Sequence, residues 1–335
     1  MNDNILKYVL PLIYLIIFYN VLINPSIAIE NEKNNVLYPI ESNNKWGFMD
    51  NKGNTVISPE FDAAYKFSDG LALIKSNGYW GFIDINGSIV IDPKLEEAHQ
   101  FSEGLSLIKI NNLYGYMDKK GKIVITPIYQ KALSFSGGLA SVKMDGLWGY
   151  ISKSGVLEIP IKYELAHIFT GDRALVLYNQ KAGYIDKTGK FAINPVFDVA
   201  EGFSENRAKV VFDGEIAYID IFGNMVLIPH TEDARHFSEN AAAITHRGKQ
   251  GFINKKGHVI VDPKFDKVGD FSEGLAGAKF NGKWGYINKS GQILISLAYK
   301  TALPFSNGLA LVEFQDGAWG YINKEGEVIW KSDES

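Results

Sequence analysis

A Trp-Gly dipeptide, or a recognisable counterpart, returns along this chain at an almost constant spacing. Consecutive glycine slots are 34 residues apart except for one final interval of 35, and the nine slots hold Gly47, Gly81, Gly115, Gly149, Gly183, Ala217, Gly251, Gly285 and Gly320. A period this strict indicates one supersecondary unit copied nine times. The fold is therefore predicted from the unit first and from the stacking of units second.

Each unit has the pattern of a three-stranded antiparallel meander. In the second copy, apolar runs at 70–75, 79–84 and 89–91 are separated by the turns Asn77-Gly78 and Asn86-Gly87. A pair such as Asn77-Gly78 accepts the two positive φ angles of a type I′ hairpin. The same turn is predicted at Asn43-Asn44, Asn111-Asn112, Asp145-Gly146, Asp213-Gly214, Asn281-Gly282 and Asp316-Gly317, and in a weaker version at Asn179-Gln180 and Arg247-Gly248. The extra residue of the last interval falls beside Asp316-Gly317.

The second turn of every unit ends in glycine, which a type I turn closed by a left-handed residue explains. These glycines are Gly53, Gly87, Gly121, Gly155, Gly189, Gly223, Gly257, Gly291 and Gly326. Three residues earlier stand Asp50, Asp84, Asp118, Ser152, Asp186, Asp220, Asn254, Asn288 and Asn323. Half a calcium loop would look similar, but a slot that accepts Asn and Ser and lacks a second acid at alternating positions favours a turn cap. No metal site is predicted.

The linkers between units repeat as well. A proline expected to end the third strand is found as Pro59, Pro93, Pro127, Pro195, Pro229 and Pro263, with Pro160-Ile161 and Leu297 as departures. A left-handed residue is predicted before the next strand, at Gly70, Gly104, Gly138, Asp172, Asn206, Asn240, Gly274 and Gly308. Core-filling phenylalanines are predicted at Phe67, Phe101, Phe135, Phe169, Phe203, Phe237, Phe271 and Phe305.

The strands are apolar on both faces, so each sheet has to be covered on both sides. Three-stranded units stacked face to face satisfy that requirement. Because the first and last units are complete, with no unit split between the termini, and because propeller blades have four strands and about 40–45 residues, an open superhelical stack is favoured. A closed or nearly closed β-propeller ring is the alternative.

The N-terminus has the layout of a secretory signal peptide. Lys7 precedes an apolar run at 8–23, and the small residues Ser26 and Ala28 fit a cleavage site after Ala28. The predicted segments are a signal peptide at 1–28, a short linker at 29–35, the repeat array at 36–331 and a polar tail at 332–335. The run of 16 residues, interrupted by Asn20, is short for a membrane anchor, which is the competing interpretation. The expected location is periplasmic, secreted or cell-surface.

Composition and motifs exclude several functions. A net charge of −4 without a basic run gives no footprint for nucleic acid, and the chain has no cysteine. Phosphate-loop, nucleophile-elbow and dinucleotide patterns are missing, so no catalytic residue and no cofactor is predicted. Two candidate sites are not favoured by the sequence. They are a metal or acid-base site among His230, His236, His246, His258, Glu232, Asp233 and Arg235, and a carboxylate pair drawn from Glu201, Glu205, Glu232 and Asp233.

Five tryptophans occupy the slot before the glycine: Trp46, Trp80, Trp148, Trp284 and Trp319. An exposed row of rings could stack on a glycan or clamp a peptide, but aromatic residues at a repeat period usually fill repeat cores. A structural role is therefore favoured. The other four units hold Tyr114, Ala182, Ile216 and Gln250.

The segments 45–48, 79–84 and 283–287, with the Phe-Ser-Glu-Gly-Leu linkers at 101–105 and 271–275, resemble the bacterial WG-repeat (KWG-repeat) family over about residues 36 to 331. That resemblance implies a β-rich repeat protein, often exported, without a general activity or catalytic motif. The leading hypothesis is a non-catalytic exported scaffold that binds a protein or a cell-surface polymer, with no nucleic-acid partner and no membrane contact beyond the signal segment. The alternatives are an envelope glycan hydrolase and a purely structural surface protein.

Overall fold

The computed structural model describes residues Val36 to Ser332, and within them every regular element is a β-strand. The predicted signal peptide and linker, 1–35, lie outside the described residues, as do the last three residues of the tail. Among 36–332 there is no helix long and apolar enough to cross a membrane.

The strands form nine antiparallel sheets, here called blades 1 to 9. Blade 1 has three strands, β1 (Tyr38–Ser42), β2 (Lys45–Met49) and β3 (Thr55–Phe61). The other blades each have four, A to D in chain order. Blades 2 to 5 are β4 (Ala63–Ser68), β5 (Leu71–Ser76), β6 (Tyr79–Ile83) and β7 (Ile89–Leu95); β8 (Glu97–Ala98), β9 (Leu105–Ile110), β10 (Leu113–Asp118) and β11 (Ile123–Tyr129); β12 (Lys131–Ala132), β13 (Leu139–Met144), β14 (Leu147–Ser152) and β15 (Leu157–Tyr163); and β16 (Leu165–Thr170), β17 (Arg173–Tyr178), β18 (Lys181–Ile185) and β19 (Phe191–Phe197).

Blades 6 to 9 are β20 (Val199–Ala200), β21 (Ala208–Phe212), β22 (Glu215–Ile219) and β23 (Met225–Leu227); β24 (Asp233–Ser238), β25 (Ala241–His246), β26 (Lys249–Asn254) and β27 (Val259–Phe265); β28 (Lys267–Val268), β29 (Ala276–Phe280), β30 (Lys283–Ile287) and β31 (Ile293–Tyr299); and β32 (Thr301–Ala302), β33 (Ala310–Glu313), β34 (Trp319–Ile322) and β35 (Val328–Lys331). In blade 1 the three strands correspond to B, C and D of the other blades.

The prediction of a three-stranded unit was incomplete, because the linker itself forms strand A. In blade 2, Ala63 pairs with Lys75 and Ala64 pairs with Ile74 before the register shifts. In blade 3 strand A has shrunk to Glu97–Ala98. Proline also does not end strand D as predicted: Pro59 lies inside β3. Strand D is an edge strand, and an edge strand tolerates proline because the missing donor leaves no partner unpaired.

The favoured open stack is wrong, and the propeller alternative is correct, because the first and last blades pack together. The Tyr38 hydroxyl donates to the Asn307 carbonyl at 2.6 Å, and the Tyr321 hydroxyl donates to the Pro39 carbonyl at 3.0 Å. The two tyrosine rings meet edge to face, with centroids 5.5 Å apart. Among residues 36–332 neither end of the chain contributes a strand to the other's blade. In this part of the chain the nine blades therefore close into a ring without a shared strand.

Strand A joins each blade to the preceding one. Its phenylalanine ring packs on an aromatic ring of strand C in the preceding blade, as Phe101 does on Phe82 with centroids 4.7 Å apart. The serine that follows donates to the carbonyl of the next such phenylalanine, as Ser102 does to Phe135 at 2.8 Å. Tyrosines of strand C, such as Tyr184, donate to a carbonyl 17 residues later. The predicted core role of the phenylalanines is confirmed. Because A strands of consecutive blades touch in this way, they lie nearest the ring axis, and the D strands lie at its periphery.

The predicted turns are present, with two departures. Both central residues of the B–C turn have positive φ in blades 1 to 8, but in blade 9 only Gly317 does, because the inserted residue converts this turn to a type I turn in which Phe314 accepts from Gly317. All nine C–D turns have a left-handed glycine. Their Asp or Asn oxygens cap the turn, as Asp84 Oδ1 does for the Asn86 and Ser88 amides at 2.9 Å. In the linkers, Asp172 alone among the predicted left-handed residues has no positive φ.

The glycine of the Trp-Gly pair is required because strand D crosses it closely. A Cβ built at Gly81 would lie 2.6 Å from the Ile91 carbonyl oxygen and 2.7 Å from the Pro93 nitrogen. Blade 6, where Ala217 replaces glycine, shows the consequence. Its strand D, β23, has three residues instead of the usual seven and ends at Leu227, opposite Tyr218. The side chain of Ala217 thus occupies the space that strand D uses elsewhere.

Replacing Gly81 with alanine is expected to shorten strand D of blade 2 as in blade 6. The new methyl group clashes with backbone rather than with a flexible side chain, so overpacking should lower the free energy of unfolding by about 1–3 kcal/mol. Hydrogen exchange should accelerate at the amides of residues 91–95. Gly202→Ala is the matched control, because the nearest atom to its Cβ is 3.8 Å away and its φ is not positive. Equal effects of the two substitutions would contradict this explanation.

The buried tyrosines predict a loss of stability at alkaline pH. Burial raises the pKa of Tyr116, Tyr150, Tyr184 and Tyr286 well above the ordinary value, and it raises the pKa of Tyr163 to about 12. Because the pKa is higher in the folded chain than in the unfolded one, the stabilisation is complete below about pH 10 and is lost as the pH rises through the folded values. Denaturant unfolding between pH 8 and pH 11, with tyrosinate absorbance, measures this loss. Tyr184→Phe should make the unfolding free energy depend less on pH. An unfolding free energy of the parent protein that does not change between pH 8 and pH 11 would contradict the prediction.

Candidate functional site

Most charges that repeat along the chain hold one blade to the next. Lys45, the residue before the first Trp-Gly pair, places its ammonium group 2.7 Å from Asp62 Oδ1, while the other oxygen of Asp62 accepts from the Gly78 amide at 3.2 Å. These hydrogen bonds lower the pKa of the Asp62 carboxyl group. Equivalent pairs join Lys181 to Asp198 and Lys249 to Asp266. The repeated lysine is therefore part of the framework, although an exposed ion pair adds little stability.

A second set of repeated acids connects consecutive A–B turns. Glu103 accepts from the amides of Gly137 and Gly138 in the next blade, at 2.6 and 3.0 Å, and pairs with Lys153 at 3.2 Å. Glu205, Glu239 and Glu273, in blades 6, 7 and 8, each accept from one amide of the next blade and pair with a lysine. All four glutamates have positive φ, which is unfavourable for a residue with a side chain. The contacts with the next blade hold this conformation.

One set of positions does not repeat. Between the buried small residue of strand A and its phenylalanine, blades 2 to 9 each carry two residues that differ from blade to blade. These are Tyr65-Lys66, His99-Gln100, Leu133-Ser134, His167-Ile168, Glu201-Gly202, Arg235-His236, Gly269-Asp270 and Leu303-Pro304. We call them the inner-strand surface, because they lie on or directly after the A strands. The repeated contacts that close the ring do not fix the identity of these residues.

The inner-strand surface carries a connected group of charges across blades 6 to 8. Lys209 lies 2.6 Å from Glu201 Oε1 and 3.8 Å from Asp233 Oδ1, and it donates to the Ala234 carbonyl at 2.7 Å. Arg235 and His236 approach the two oxygens of Asp270 at 3.5 and 3.4 Å. Arg235 also donates to the Val268 carbonyl. The nearly buried Lys209 of blade 6 therefore contacts Asp233 of blade 7, and the nearly buried Asp270 of blade 8 contacts Arg235 of blade 7.

Other blades add a different chemistry to the same surface. Glu97 is bonded by Lys109, Tyr114 and His99; burial acts to raise the pKa of its carboxyl group, but these hydrogen bonds outweigh burial and lower it. Burial also lowers the pKa of Lys66 and of His167. The charge of Glu273 in blade 8 opposes the effect at Lys66 in blade 2.

The histidines weighed in the sequence do not converge. His230, His246 and His258 are exposed at separate places along the chain, and of the four only His236 approaches a carboxylate. Within residues 36–332 no three His, Asp or Glu side chains are placed to hold a metal ion. Of the four carboxylates, Glu205 and Glu232 cap turns, whereas Glu201 and Asp233 face the same lysine.

Lys209 and Asp270 were missed by the sequence reasoning, although a signal was available for Lys209. Its slot in strand B holds Leu73, Leu107, Leu175 and Leu311 in other blades, and a lysine in a slot that is otherwise apolar or small is an exception. Asp270 stands in a slot without a pattern. Only the structure brings it beside Arg235 and His236.

The tryptophans do not form a continuous exposed row. Trp148 is buried at 8% exposure, Trp46, Trp80 and Trp284 are half-buried, and Trp319 is 37% exposed. The small residue of strand A in the next blade packs in the same cluster as the ring, as Ala166 does with Trp148. This arrangement supports the structural role that the sequence favoured. Trp319 has no such neighbour, because blade 1 has no strand A among the described residues.

Two tryptophan substitutions separate the structural role from an exposed one. Trp148→Ala leaves a cavity in a packed cluster and should cost about 3–5 kcal/mol of unfolding free energy. Trp319→Ala removes a ring that already contacts water and should cost clearly less. Denaturant unfolding of both variants measures the difference. A Trp148→Ala protein as stable as the parent would show that the buried ring does not support the fold.

Comparison with known structures is consistent with this fold. A crystal structure of the eukaryotic initiation factor superposes with a TM-score of 0.65 at 10% identity, covering 88% of this chain and 95% of that one. At such identity the likeness concerns the fold alone. Two further structures, the computationally designed Ika8 protein and BamB from Moraxella catarrhalis, give TM-scores of 0.48 and 0.42 at 15% and 11% identity. They cover 77% and 71% of this chain and 94% and 87% of their own.

No curated protein sequence matches the chain significantly. A WG containing repeat is matched at 46–80, 80–114, 114–148, 148–181, 183–215, 251–284 and 284–317. The unmatched stretch between 215 and 251 begins just before Ala217 and contains the shortened β23. Because the matches cover more than half of the sequence, this nine-bladed propeller belongs to the WG containing repeat family.

Proposed function

We propose that this protein is a non-catalytic binding scaffold that recognises a protein partner through the inner-strand surface. The observation that carries the proposal is the contrast between two classes of position. Turn glycines, phenylalanines and blade-linking charges repeat, whereas the inner-strand pairs differ in every blade. Repeat proteins recognise partners through residues that vary on a constant framework. A surface with both signs of charge suits a protein better than a polyanion.

The non-catalytic part of the proposal is supported by the ion pairs that the charged groups make with one another. Lys209 stands between Glu201 and Asp233, where a substrate of a carboxylate pair would have to bind. Asp270 is likewise engaged by Arg235 and His236. Side chains that already contact one another are suited to a firm recognition surface rather than to attack on a substrate. Export to the periplasm or cell surface is proposed from the N-terminal sequence at 1–28.

The test is a binding experiment on the double variant Arg235→Ala/His236→Ala. Proteins of the native cell envelope are presented to the immobilised parent, and the proteins retained are identified and measured. The double variant should retain at least about tenfold less of a specific partner, because truncation removes charged contact groups and leaves Asp270 unpaired. Lys94→Ala on the outer strand of blade 2 is the control, since its ion pair is with Asp92 two residues away.

Two results would contradict the proposal. One is equal retention of every partner by the double variant and the parent. The other is turnover of an envelope glycan by the purified protein that disappears in Glu201→Gln while the fold, measured by circular dichroism, is unchanged. The second result would favour the hydrolase alternative.

A further inference from the structure

Blade 1 differs from every other blade at its inner edge. Blades 2 to 9 each have a strand A beside strand B, but within residues 36–332 no strand pairs with β1 on the side opposite β2. The positions that pair with strand A in blade 2 are Lys75 and Ile74, and their equivalents in β1 are Glu41 and Ile40. In blade 2 the Lys75 carbonyl accepts from the Asp62 amide, so the backbone of Lys75 faces strand A. The amide and carbonyl of the equivalent residue Glu41 therefore face the free edge of β1. An edge of this kind is a template for another strand.

The free edge borders a cavity of ≈ 300 Å³ at the junction of blades 9 and 1. Its wall is mainly apolar, and its lining includes Pro39, Trp46, Leu311, Trp319 and Trp330. In blades 1 and 8, the small residues Ala64 and Ala302 of the next strand A lie in the same cluster as the tryptophan. Trp319 lacks this cover. The cavity lies where strand A of blade 1 would stand, and no strand of the described part of the chain lies there.

The chain's own sequence before β1 does not match what strand A requires. At a spacing of 34 residues, the alanine slot of Ala64 corresponds to Glu30 and the phenylalanine slot of Phe67 corresponds to Lys33. The turn glycine Gly70, at φ +83°, corresponds to the β-branched Val36. A β-branched residue is strongly disfavoured at positive φ. The phenylalanine is not needed at this junction, since Tyr38 already packs on Tyr321.

The charge beside the cavity indicates what an occupant carries. Glu41 also lines the cavity and has no ion-pair partner among the described residues. Blade 9 has an acid in the same slot, Glu313, and there strand A supplies Thr301 at 2.8 Å and Lys300 at 4.0 Å. A strand that replaces the missing one would satisfy Glu41 with the same residue types.

We propose that a partner protein inserts an extended segment beside β1, completing blade 1 by strand addition. The segment pairs with the backbone of Glu41, places a small or aliphatic side chain against Trp319, and presents a lysine or threonine to the Glu41 carboxylate. Main-chain hydrogen bonds supply affinity in this mode, and the side-chain pocket supplies selectivity. This inference names one recognition mode of the proposed binding scaffold and rests on that function.

The chain itself supplies a probe. A synthetic peptide copying residues 299–305, the strand A region of blade 9, carries the lysine, threonine and alanine in the required order. Titrated into the full-length parent, it should bind saturably, shift tryptophan emission, and slow hydrogen exchange at the Glu41 amide. Trp319→Ala should weaken binding at least about tenfold, because the ring covered by the peptide alanine is lost.

A charge exchange tests whether the Glu41 carboxylate contacts the lysine and threonine of the peptide. Glu41→Lys should weaken binding of the lysine peptide at least about tenfold and restore binding of a peptide in which the lysine and threonine are glutamates. Glu325→Lys, an exposed acid in the C–D turn of blade 9, is the matched control and should leave both affinities unchanged. The variant Arg235→Ala/His236→Ala should also bind the peptide normally, so a failed scaffold surface and a failed edge site give different results.

Three outcomes would overturn the inference. The first is no saturable binding to the parent. The second is that Trp319→Ala and Glu41→Lys both bind the peptide as tightly as the parent does, which would place the peptide elsewhere. The third is slow exchange of the Glu41 amide in the free parent, which would mean that the chain's own N-terminal segment already occupies the edge.

Discussion

The contact between strand A of one blade and the aromatic face of the preceding blade is the interaction on which the ring depends. Neither partner is stable alone. Strand A pairs over as few as two residues, and strand C of each blade is apolar on a face that would otherwise meet water. Packing Phe101 on Phe82 removes both exposed surfaces at once. The serine hydroxyl that donates to the next phenylalanine carbonyl then fixes the spacing of consecutive blades.

Within residues 36–332, closure of the ring follows from this contact and not from a shared strand. At the last junction Tyr38 packs against Tyr321 as a phenylalanine does at the other junctions, and its hydroxyl adds a hydrogen bond to the Asn307 carbonyl. No described residue takes the position of the alanine, and Trp319 remains partly open to water. Because no described strand covers Trp319, the junction of blades 9 and 1 differs from the other junctions of the ring.

Local features could be predicted from the sequence, and features that depend on distant contacts could not. The turns were predicted because the positive φ angles that they need are favoured by asparagine, aspartate and glycine at two adjacent positions. The turn type changes in blade 9, where the inserted residue beside Asp316 also changes the spacing. Strand A was not predicted, because a two-residue pairing such as Glu97–Ala98 leaves no periodicity. Closure was predicted only as the alternative to an open stack, because it depends on a small rotation repeated at every junction. The charge group around Lys209 was not predicted for a related reason: its members come from three blades.

Blade 6 shows how a single framework position reshapes the surface. Ala217 keeps strand D from crossing the Trp-Gly site, and the chain beyond Leu227 leaves the sheet to reach His230 in a left-handed conformation. That chain continues into Asp233, Arg235 and His236. Asp233 and the Ala234 carbonyl contact Lys209 of blade 6, and Arg235 contacts Asp270 of blade 8. The departure from the repeat and the densest charge on the inner strands thus lie in the same stretch of sequence. Each blade depends mainly on the two blades beside it, so one shortened strand does not open the ring. Blade 6 can therefore carry an inner-strand surface that differs from those of the neighbouring blades.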